Sequence, residues 1–340
     1  MSSKMYQEIL EQPEVLRQVL NNFTNISQVL KSKLKNKTRL FLTGTGASLN
    51  ACYGSIHPFI KLMGMYPIIF PAAETQVYLP LIDKNSFVIV LSQSGESYET
   101  KQLCSILKEN DIPFCGITNE PESTLGRSAT VLIDLKVGTE VSSATKTHTA
   151  SLLYLYLISL FGGNKKEKLN DIVEAVQNIL DTSGKKIDKI AEALHKETLM
   201  YVLSDNLNYS TARQGSLLLK EKVHICAEGM TISEFRHGAV EVVKEGMAAL
   251  LISTEEGYRE EFEKHASFLS DLKMNLFLIS DTNFRNVPEE NTFLIPRTCN
   301  ELFSPLLATV PLQLLSEKMA IINGYNVDGF VYLSKIVKTY

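Results

Sequence analysis

The segment SQSGES, residues 92–97, carries three serines, a glutamine and a glycine immediately after the apolar run FVIVL at 87–91. A second loop of similar composition, TGTGASLN at 43–50, follows the apolar segment at 40–42. Glycines let a backbone approach a ligand closely, and hydroxyls together with the free N–H groups of a helix start suit a dianionic phosphate. Neither loop contains lysine or arginine, so the sequence predicts a phosphate site built from neutral donors.

The same residues have a simpler interpretation. A surface turn in which Ser97 or Thr100 caps the next helix is equally compatible with SQSGES taken alone. Glycine-rich turns between a strand and a helix, such as the one at 43–50, are also widespread in α/β folds. The two loops alone therefore do not indicate a site, and the predicted strands and helices around them must also be considered.

Those elements alternate between apolar runs of strand length and longer segments with helical periodicity, in two successive sets. Such alternation predicts parallel sheets with helices on both faces. We therefore expect an α/β chain of two doubly wound domains, each a three-layer αβα sandwich, and the similar element order suggests an internal duplication. The predicted strands are at 39–44, 67–70, 87–92, 113–118 and 130–135 in the first set, and at 198–204, 223–228, 247–253, 275–280 and 292–297 in the second.

In an open parallel sheet, ligands bind beyond the carboxyl ends of the strands, and both glycine–hydroxyl loops are predicted there. The polar, glycine-containing stretch at 162–171 separates the two sets of strands. The predicted organisation is an N-terminal helical segment at 1–35, a first domain at 36–163, a helical linker at 164–195, a second domain at 196–325 and a C-terminal tail at 326–340.

Composition excludes several classes of function. The 340 residues carry a formal net charge of −4, which argues against a nucleic-acid-binding face. Five scattered cysteines without a Cys-x-x-Cys pair predict buried thiols in a reducing compartment. Neither a signal-peptide core nor an apolar stretch of about 20 residues is visible. We expect a cytoplasmic protein without a membrane or nucleic-acid partner, and no cluster at ligand spacing predicts a metal.

The motifs TGTGASLNA, SQSGESYET and EVSSATKTHT, the last at 140–149, follow one another in an order that resembles a known family. They are similar to the first sugar isomerase (SIS) domain of the isomerase half of glucosamine-6-phosphate synthase and its relatives. The stretch at 214–238, QGSLLLKEKVHICAEGMTISEFRHG, and the tail INGYNVDGFVYLSKIVKTY resemble later parts of the same half. The resemblance extends from about residue 5 to residue 340.

The resemblance implies a substrate site and a set of reacting groups. Glu221 matches the glutamate that moves a proton between C1 and C2 of the sugar. His237 matches the histidine that opens the sugar ring from the neighbouring subunit, and Lys335 matches a tail lysine that forms a Schiff base. The residues implied to hold the sugar phosphate are Gly46, Ala47, Ser48, Ser92, Gln93, Ser94 and Ser97, and those implied to contact the sugar chain are Ser143 and Thr145.

Each reacting group also fits an ordinary structural role when it is taken singly. Glu221 fits a solvated helix face, His237 a structural histidine, and Lys335 a solvated terminal lysine. As a set they supply what aldose–ketose chemistry needs, namely a carboxylate, an imidazole and an amine. The shared site implies a homodimer or a higher homo-oligomer, and no cofactor is implied.

Departures from the family pattern direct the choice of reaction. The chain begins MSSKM, without an N-terminal cysteine or a glutaminase domain, so we expect no use of glutamine. Gln214 and Leu218 replace a glutamate and a lysine of the synthase, and Ala47 replaces a usual threonine. Loss of the lysine resembles the fructosamine-6-phosphate deglycases, whereas Lys335 resembles the synthase and the aminosugar-phosphate deaminases.

We therefore expect an enzyme that acts on an amino-sugar or ketosamine 6-phosphate, with deglycation to a hexose 6-phosphate and an amine as the preferred reaction. A glucosamine-6-phosphate deaminase or isomerase is the first alternative, and a sensor that binds a sugar phosphate without chemistry is the second. The second half has no glycines in its first loop, 204–210, so we expect it to lack a phosphate site of its own.

Overall fold

The computed structural model describes residues 2–163, 169–297, 300–332 and 334. Lys335 and part of the predicted linker lie outside the described residues. The chain divides into two compact units. Among the described residues, the first unit comprises 14–140, 144–163, 169, 331–332 and 334, and the second comprises 2–13, 141–143, 170–297 and 300–330.

Each unit contains one five-stranded parallel sheet. In the first unit the strand order is β2-β1-β3-β4-β5, and in the second it is β7-β6-β8-β9-β10. The fold class predicted from the sequence is confirmed. The strands are β1 (Arg39–Gly44), β2 (Pro67–Pro71), β3 (Ser86–Leu91), β4 (Phe114–Thr118), β5 (Val131–Asp134), β6 (Leu199–Leu203), β7 (Cys226–Met230), β8 (Ala248–Ser253), β9 (Asn275–Ser280) and β10 (Thr292–Leu294).

Helices connect these strands. They are α1 (Lys4–Leu10), α2 (Gln12–Leu34), α3 (Ala47–Gly54), α4 (Ile56–Pro58), α5 (Thr75–Tyr78), α6 (Tyr98–Glu109), α7 (Thr124–Ser128), α8 (Lys146–Gly162), α9 (Asn170–Thr182), α10 (Gly184–Leu194), α11 (Tyr209–Leu218), α12 (Ile232–Arg236), α13 (Arg259–Asp271) and α14 (Ser304–Ile322). Two π-helical segments, Phe59–Met63 and Leu219–Val223, extend the helices that follow the first strand of each sheet.

The central strands are buried along their whole length because helices cover both faces of each sheet. All six residues of β3 are buried, as are all six of β8. This explains why their sequences are continuous apolar runs instead of alternating patterns. A core of aromatic and aliphatic side chains, among them Phe41, Phe70 and Leu103, fills one face of the first sheet.

The two units repeat one topology. In each, the strand that comes first in sequence lies between the second and the third, and its following helix ends in a π-helical segment. Each π segment is closed by a residue with left-handed backbone, Gly64 at φ 72° and His224 at φ 58°. The duplication inferred from the sequence pattern is thus visible as identical strand order and matching helix irregularities.

The strand predicted at 223–228 begins later in the structure. The π-helical turn continues to Val223 and His224 adopts the left-handed conformation, so β7 starts at Cys226. Because β7 is the edge strand of its sheet, Cys226 is exposed, whereas the sequence predicted a buried thiol. Cys52 and Cys104 are buried as predicted, and Cys299 lies outside the described residues.

Helix α14 is long and predominantly apolar. Among the described residues, one helical stretch, Glu301–Ile322, has the length and hydropathy of a membrane span, but 83% of its apolar window is buried inside the protein. Burial of this kind is typical of the core helix of a globular domain.

Gly229 of β7 determines how closely α11 can pack on the second sheet. A Cβ at Gly229 would lie 2.4 Å from the Ala212 carbonyl oxygen and 2.8 Å from Cα of Arg213, both in α11. Backbone atoms cannot rotate away, so a Gly229→Ala substitution must displace the helix that leads to Glu221. We expect a loss of roughly 1–3 kcal/mol in the free energy of unfolding, measured by urea denaturation.

The matched control is Gly184→Ala. Gly184 is the first residue of α10, and a Cβ there meets no atom within 4 Å. The control should unfold at the wild-type urea concentration or above it. Equal stability of the two variants would contradict the close packing of α11 on β7.

Candidate active site

The predicted phosphate loops lie at one edge of the first sheet because their strands are neighbours. We name residues 43–50 the β1 loop and residues 92–97 the β3 loop. Strands β1 and β3 pair in parallel from Arg39–Ser86 to Thr43–Val90, so both loops leave the sheet at its carboxyl edge. At Gly44, an added Cβ would lie 2.8 Å from the Leu91 carbonyl oxygen and 2.9 Å from Cβ of Ser48. Glycine at this position lets the start of α3 approach the end of β3.

The β3 loop is organised by its own hydroxyls. The Gly95 N–H donates to Oγ of Ser92 at 3.1 Å, and the Glu96 N–H donates to Oγ of Ser94 at 3.3 Å. Gly95 has a left-handed φ of 61°, which favours glycine at this turn. Ser92 and Ser94 are acceptors in these bonds, so the O–H hydrogen of each remains to donate to an anion.

Ser97 is the N-cap of α6. Its Oγ accepts the Thr100 N–H at 3.4 Å and lies 2.7 Å from Oγ1 of Thr100. The capping interpretation of this serine is therefore correct. It does not compete with anion binding, because the N–H groups of the first helical turn point outward from the capped end.

Glu96 is the one acidic residue in the β3 loop, and its carboxylate interacts with a lysine side chain and with a backbone N–H group. Its carboxylate lies 2.9 Å from Nζ of Lys101 and accepts the Thr124 N–H. The hydrogen bond from Lys101 is the main cause that lowers the pKa of Glu96 to about 2. The carboxylate is ionised and paired, so its repulsion of a phosphate bound at the loop is weakened.

A cleft of about 770 Å³ opens beside the β3 loop, and its lining includes Gln93, Ser94 and Lys136. Lys136 follows β5 and has a left-handed φ of 52°. Asn119 holds the adjoining backbone, since its Nδ2 donates to the Gly138 carbonyl oxygen at 2.9 Å. The sequence analysis missed Lys136, although its position directly after a strand of the same parallel sheet was a usable signal.

His148 of α8 forms a hydrogen bond with the backbone of the β1 loop. The ring is 4% exposed, and Nδ1 donates to the Ala47 carbonyl oxygen at 3.1 Å. A carbonyl can only accept, so Nδ1 carries the hydrogen. Burial is the main cause that lowers the pKa of His148 to about 4, against the opposing effect of the bond to Ala47. His148 is therefore a neutral, oriented donor.

Thr145 has a structural place in the first unit. It is fully buried, and its hydroxyl donates to Oε1 of Glu140 at 3.2 Å. The same Glu140 accepts the backbone N–H groups of Thr145 and Thr147, at 2.9 and 3.1 Å. These bonds shape the start of α8, and a contact of Thr145 with a sugar stays a prediction.

In the second unit, Glu221 lies in the π-helical turn Leu219–Val223. Such turns interrupt the regular helical ladder and are frequent at functional sites. The Ser143 hydroxyl donates to Oε2 of Glu221 across 78 residues of chain. Ser143 itself is buried at 2% exposure, and Glu221 is half-buried. The structure thus brings together two residues that the family resemblance implied separately.

The turn that carries Glu221 is held by its neighbours. Lys222 is buried at 1% exposure, donates to the Gly329 carbonyl oxygen at 2.9 Å, and lies 3.9 Å from the ring centroid of Phe330. The His224 ring packs on Tyr325 with centroids 4.6 Å apart. The segment 325–330 therefore contacts the two residues Lys222 and His224, which follow Glu221 in the π-helical turn and at its end.

His237 ends α12 and is exposed. It lines a cleft of about 640 Å³ together with Asp205, Arg236 and His265, and Glu221 is not among the residues that line this cleft. Asp205 accepts the Ile232 N–H at 3.2 Å and so ties the end of β6 to the start of α12. Burial is the main cause that raises the pKa of Asp205 and lowers that of His265.

The second sheet has an acidic residue at the position that corresponds to the β3 loop. After β8, the buried Glu255 accepts the Leu207 N–H at 3.1 Å. Burial is the main cause that raises its pKa to about 7. The Glu255 carboxyl group thus occupies the Leu207 N–H group, and the lack of a phosphate site in this unit stays a prediction. Lys335 lies outside the described residues.

The pKa of His148 predicts how stability depends on pH. Because the folded-state pKa is below the ordinary 6.5, the unfolded chain binds more protons between pH about 4 and 6.5. The free energy of unfolding therefore falls as the pH drops through this window, by at most about 1.4 kcal/mol per pH unit. His148→Phe should remove this part of the pH dependence.

The measurement is urea denaturation of wild type and His148→Phe at pH 5.0, 6.0 and 7.5. At pH 7.5 the variant should be less stable by roughly 1–3 kcal/mol, since the Ala47 carbonyl loses its donor. The difference should shrink as the pH falls. A constant difference across the three pH values would contradict the neutral, buried state of His148.

Comparison with known proteins shows what this chain is similar to. Residues 33–160 match the SIS domain. A curated relative, the glutamine–fructose-6-phosphate aminotransferase of Gloeobacter violaceus, is 30% identical over 353 residues, which cover 98% of this chain and 58% of the relative. The chain therefore spans little more than half the length of the curated relatives that it matches.

Solved structures share the fold of nearly the whole chain. The C-terminal domain of glucosamine-fructose-6-phosphate aminotransferase from Francisella tularensis has a TM-score of 0.85 at 23% identity, covering 96% of this chain and 98% of that one. Glucosamine-6-phosphate deaminase from Thermotoga maritima has a TM-score of 0.77 at 21% identity, covering 98% and 99%. At this level of identity the likeness is one of fold. Over residues 33–160 the chain thus resembles the SIS domain, and its two like-ordered sheets have the fold of these solved structures.

Proposed function

We propose that the protein is a phosphosugar enzyme that converts an amino-sugar or ketosamine 6-phosphate, and that its reaction is the deglycation of a fructosamine 6-phosphate. The observation that carries the proposal is the convergence of the β1 and β3 loops at the carboxyl edge of one sheet. Their hydroxyls and helix starts offer neutral donors in the arrangement that a phosphate dianion requires.

The phosphate would be held by residues that the structure already orients. Ser92 and Ser94 each have an O–H hydrogen available, and α3 and α6 both begin at these loops. Hydrogen bonds to a charged oxygen are about twice as strong as neutral ones. Lys136 lies on the wall of the adjoining cleft, but the same cleft is lined by the carboxylates of Glu96, Glu120, Glu122, Asp134 and Glu140. The proposal therefore rests on the neutral donors of the loops and not on the charge of the cleft.

The chemistry rests on Glu221. In the proposed reaction His237 opens the sugar ring, and Glu221 removes a proton from C1 and delivers it to C2. The amine N–H proton passes to the C2 oxygen, so the C2 carbonyl becomes a hydroxyl and the C1–N bond becomes an imine. Water hydrolyses the imine to an aldose 6-phosphate and a free amine. The hydrogen bond from Ser143 supports this role, because it holds the carboxylate in one orientation.

Leu218 favours deglycation over the synthase reaction. In the resemblance to glucosamine-6-phosphate synthase, this position of the helix corresponds to a lysine. Here Leu218 is fully buried, and Gln214, which takes the place of a glutamate, is 1% exposed. One turn before Glu221 the helix therefore presents an apolar side chain to the core instead of an amine.

A glucosamine-6-phosphate deaminase is the second candidate. It is favoured by Lys335, which resembles the tail lysine of the deaminases, and by the fold shared with the Thermotoga maritima deaminase. This enzyme would use Glu221 and His237 on an aldose that carries a free amino group. As in the deglycase, we propose a homo-oligomer in which His237 serves a neighbouring site.

Replacement of Glu221 by glutamine tests the proton transfer. The purified protein is incubated with a panel of fructosamine 6-phosphates and with glucosamine 6-phosphate, and released hexose phosphate is measured. Glu221→Gln should lower kcat by about 100-fold or more, because the amide cannot accept a proton. The control is Glu228→Gln, an exposed carboxylate of β7, which should keep wild-type activity.

The panel separates the candidates. Turnover of the fructosamine 6-phosphates supports the deglycase, and turnover of glucosamine 6-phosphate alone supports the deaminase. Binding of hexose 6-phosphates by calorimetry without turnover of any compound would reject both enzymes in favour of a sensor. Wild-type turnover by Glu221→Gln would reject the assignment of this residue.

Substitutions in the β3 loop test the phosphate site. Ser94→Ala removes a hydroxyl donor, and Ser97→Asp keeps a helix cap while it adds a negative charge. Each should weaken the binding of a hexose 6-phosphate by roughly 1–3 kcal/mol, while the Tm of Ser97→Asp stays near that of wild type. Ser105→Ala, on the exposed face of α6, is the control. Unchanged affinity in both loop variants would contradict the placement of the phosphate.

A further inference from the structure

The N-terminal helix α1 and the segment 326–330 are bonded to each other within the second unit. The carboxylate of Asp328 accepts the backbone N–H groups of Lys4 and Met5, each at 3.0 Å. At the same end of the helix, the Ser3 hydroxyl donates to Oε1 of Glu317 in α14 at 2.6 Å. These contacts hold the first turn of α1 in a defined place on the second unit.

Helix α1 and the segment 326–330 each also form a hydrogen bond with the segment 141–143. Oε1 of Glu8, in the last turn of α1, accepts the Val141 N–H at 2.6 Å. The hydroxyl of the next residue, Ser142, donates to the Val327 carbonyl oxygen, also at 2.6 Å. The short segment is therefore held by a side chain of α1 and by the backbone of 326–330.

The third residue of this segment is the donor to Glu221. Ser143 follows Val141 by two positions, so its Cα lies within about 7 Å of the anchored backbone. Whatever fixes Val141 and Ser142 restricts the positions from which the Ser143 hydroxyl can reach Glu221. A chain of direct bonds thus runs from Glu8 through Val141–Ser143 to Glu221.

Glu8 is an unexpected side chain for this place. It is 4% exposed, and burial of a carboxylate is costly unless it is well bonded. A charged acceptor makes a shorter and stronger bond to a backbone N–H than a neutral one. The neighbouring Ile9 and Met5 show that this face of α1 otherwise buries apolar groups. If packing of this helix face were the only requirement, we would expect a hydrophobic residue at position 8.

We propose that Glu8 is a positioning residue for the Ser143–Glu221 pair, so that the N-terminal helix is part of the catalytic apparatus. The inference rests on the proposed function of Glu221. Glu8 does not touch the substrate in this scheme. It sets the orientation of the proton-transferring carboxylate through the backbone of 141–143.

The test compares Glu8→Ala and Glu8→Gln with wild type on the substrate that the panel identifies. Glu8→Ala should lower kcat roughly tenfold, which corresponds to about 1.4 kcal/mol in the barrier, and change KM less than about twofold. Glu8→Gln keeps an oxygen that accepts the Val141 N–H and should recover most of kcat. Glu14→Ala, an exposed residue paired with Arg17, is the control on the adjoining helix.

A double-mutant cycle with Ser143→Ala separates positioning from general stabilisation. If Glu8 acts through Ser143, Glu8→Ala should have little further effect on kcat in the Ser143→Ala background. Additive losses, or an equal loss from Glu8→Gln and Glu8→Ala, would overturn the proposal.

If the wild-type protein turns over no compound, the proposed function fails, and hydrogen–deuterium exchange still decides the inference. Glu8→Ala should speed exchange of the backbone amides at 141–143 and at 219–223, with α13 unchanged as an internal reference. Wild-type exchange rates at both segments in Glu8→Ala would overturn the coupling, independently of any reaction.

Discussion

The parallel pairing of β1 with β3 is the constraint on which the candidate site depends. Because the first strand in sequence lies between the second and the third, its loop emerges beside that of β3, not beside that of β2 alone. Ladder hydrogen bonds set the register from Arg39–Ser86 onward, and Gly44 lets the start of α3 approach the end of β3, where a Cβ would lie 2.8 Å from the Leu91 carbonyl oxygen. The two loops therefore leave the sheet at the same carboxyl edge, where ligands bind in open parallel sheets.

The second unit has the same strand order, but the loop that follows its third strand differs in composition. At the position of the β3 loop it has Glu255, a buried acid with a raised pKa that occupies the Leu207 N–H. Its π-helical turn, Leu219–Val223, corresponds to Phe59–Met63 in the first unit. In the first unit this turn is followed by a glycine and in the second by His224, and the second turn contains Glu221.

Local patterns predicted most of the strands because buried parallel strands are continuous apolar runs, as in β3 and β8. They were wrong at 223–225, where a π-helical turn and a left-handed residue replaced the expected start of β7. The capping role of Ser97 was available from local sequence, since a cap bonds only three residues ahead. Lys136 was missed because its place on the cleft depends on β5 joining the same sheet edge, although β3 lies more than forty residues earlier.

By itself the sequence determined the α/β class, the two sets of strands, the loops at strand ends and the resemblance of these motifs to the SIS domain. These features depend on periodicity and on short-range backbone preferences, which act over a few residues. Only the tertiary structure decided that Ser143 donates to Glu221, that His148 supports Ala47, and that Glu8 bonds the segment before Ser143. Each of these bonds joins residues 78 or more positions apart, and such pairs form only when the packing of whole elements brings a donor within 3.5 Å of an acceptor.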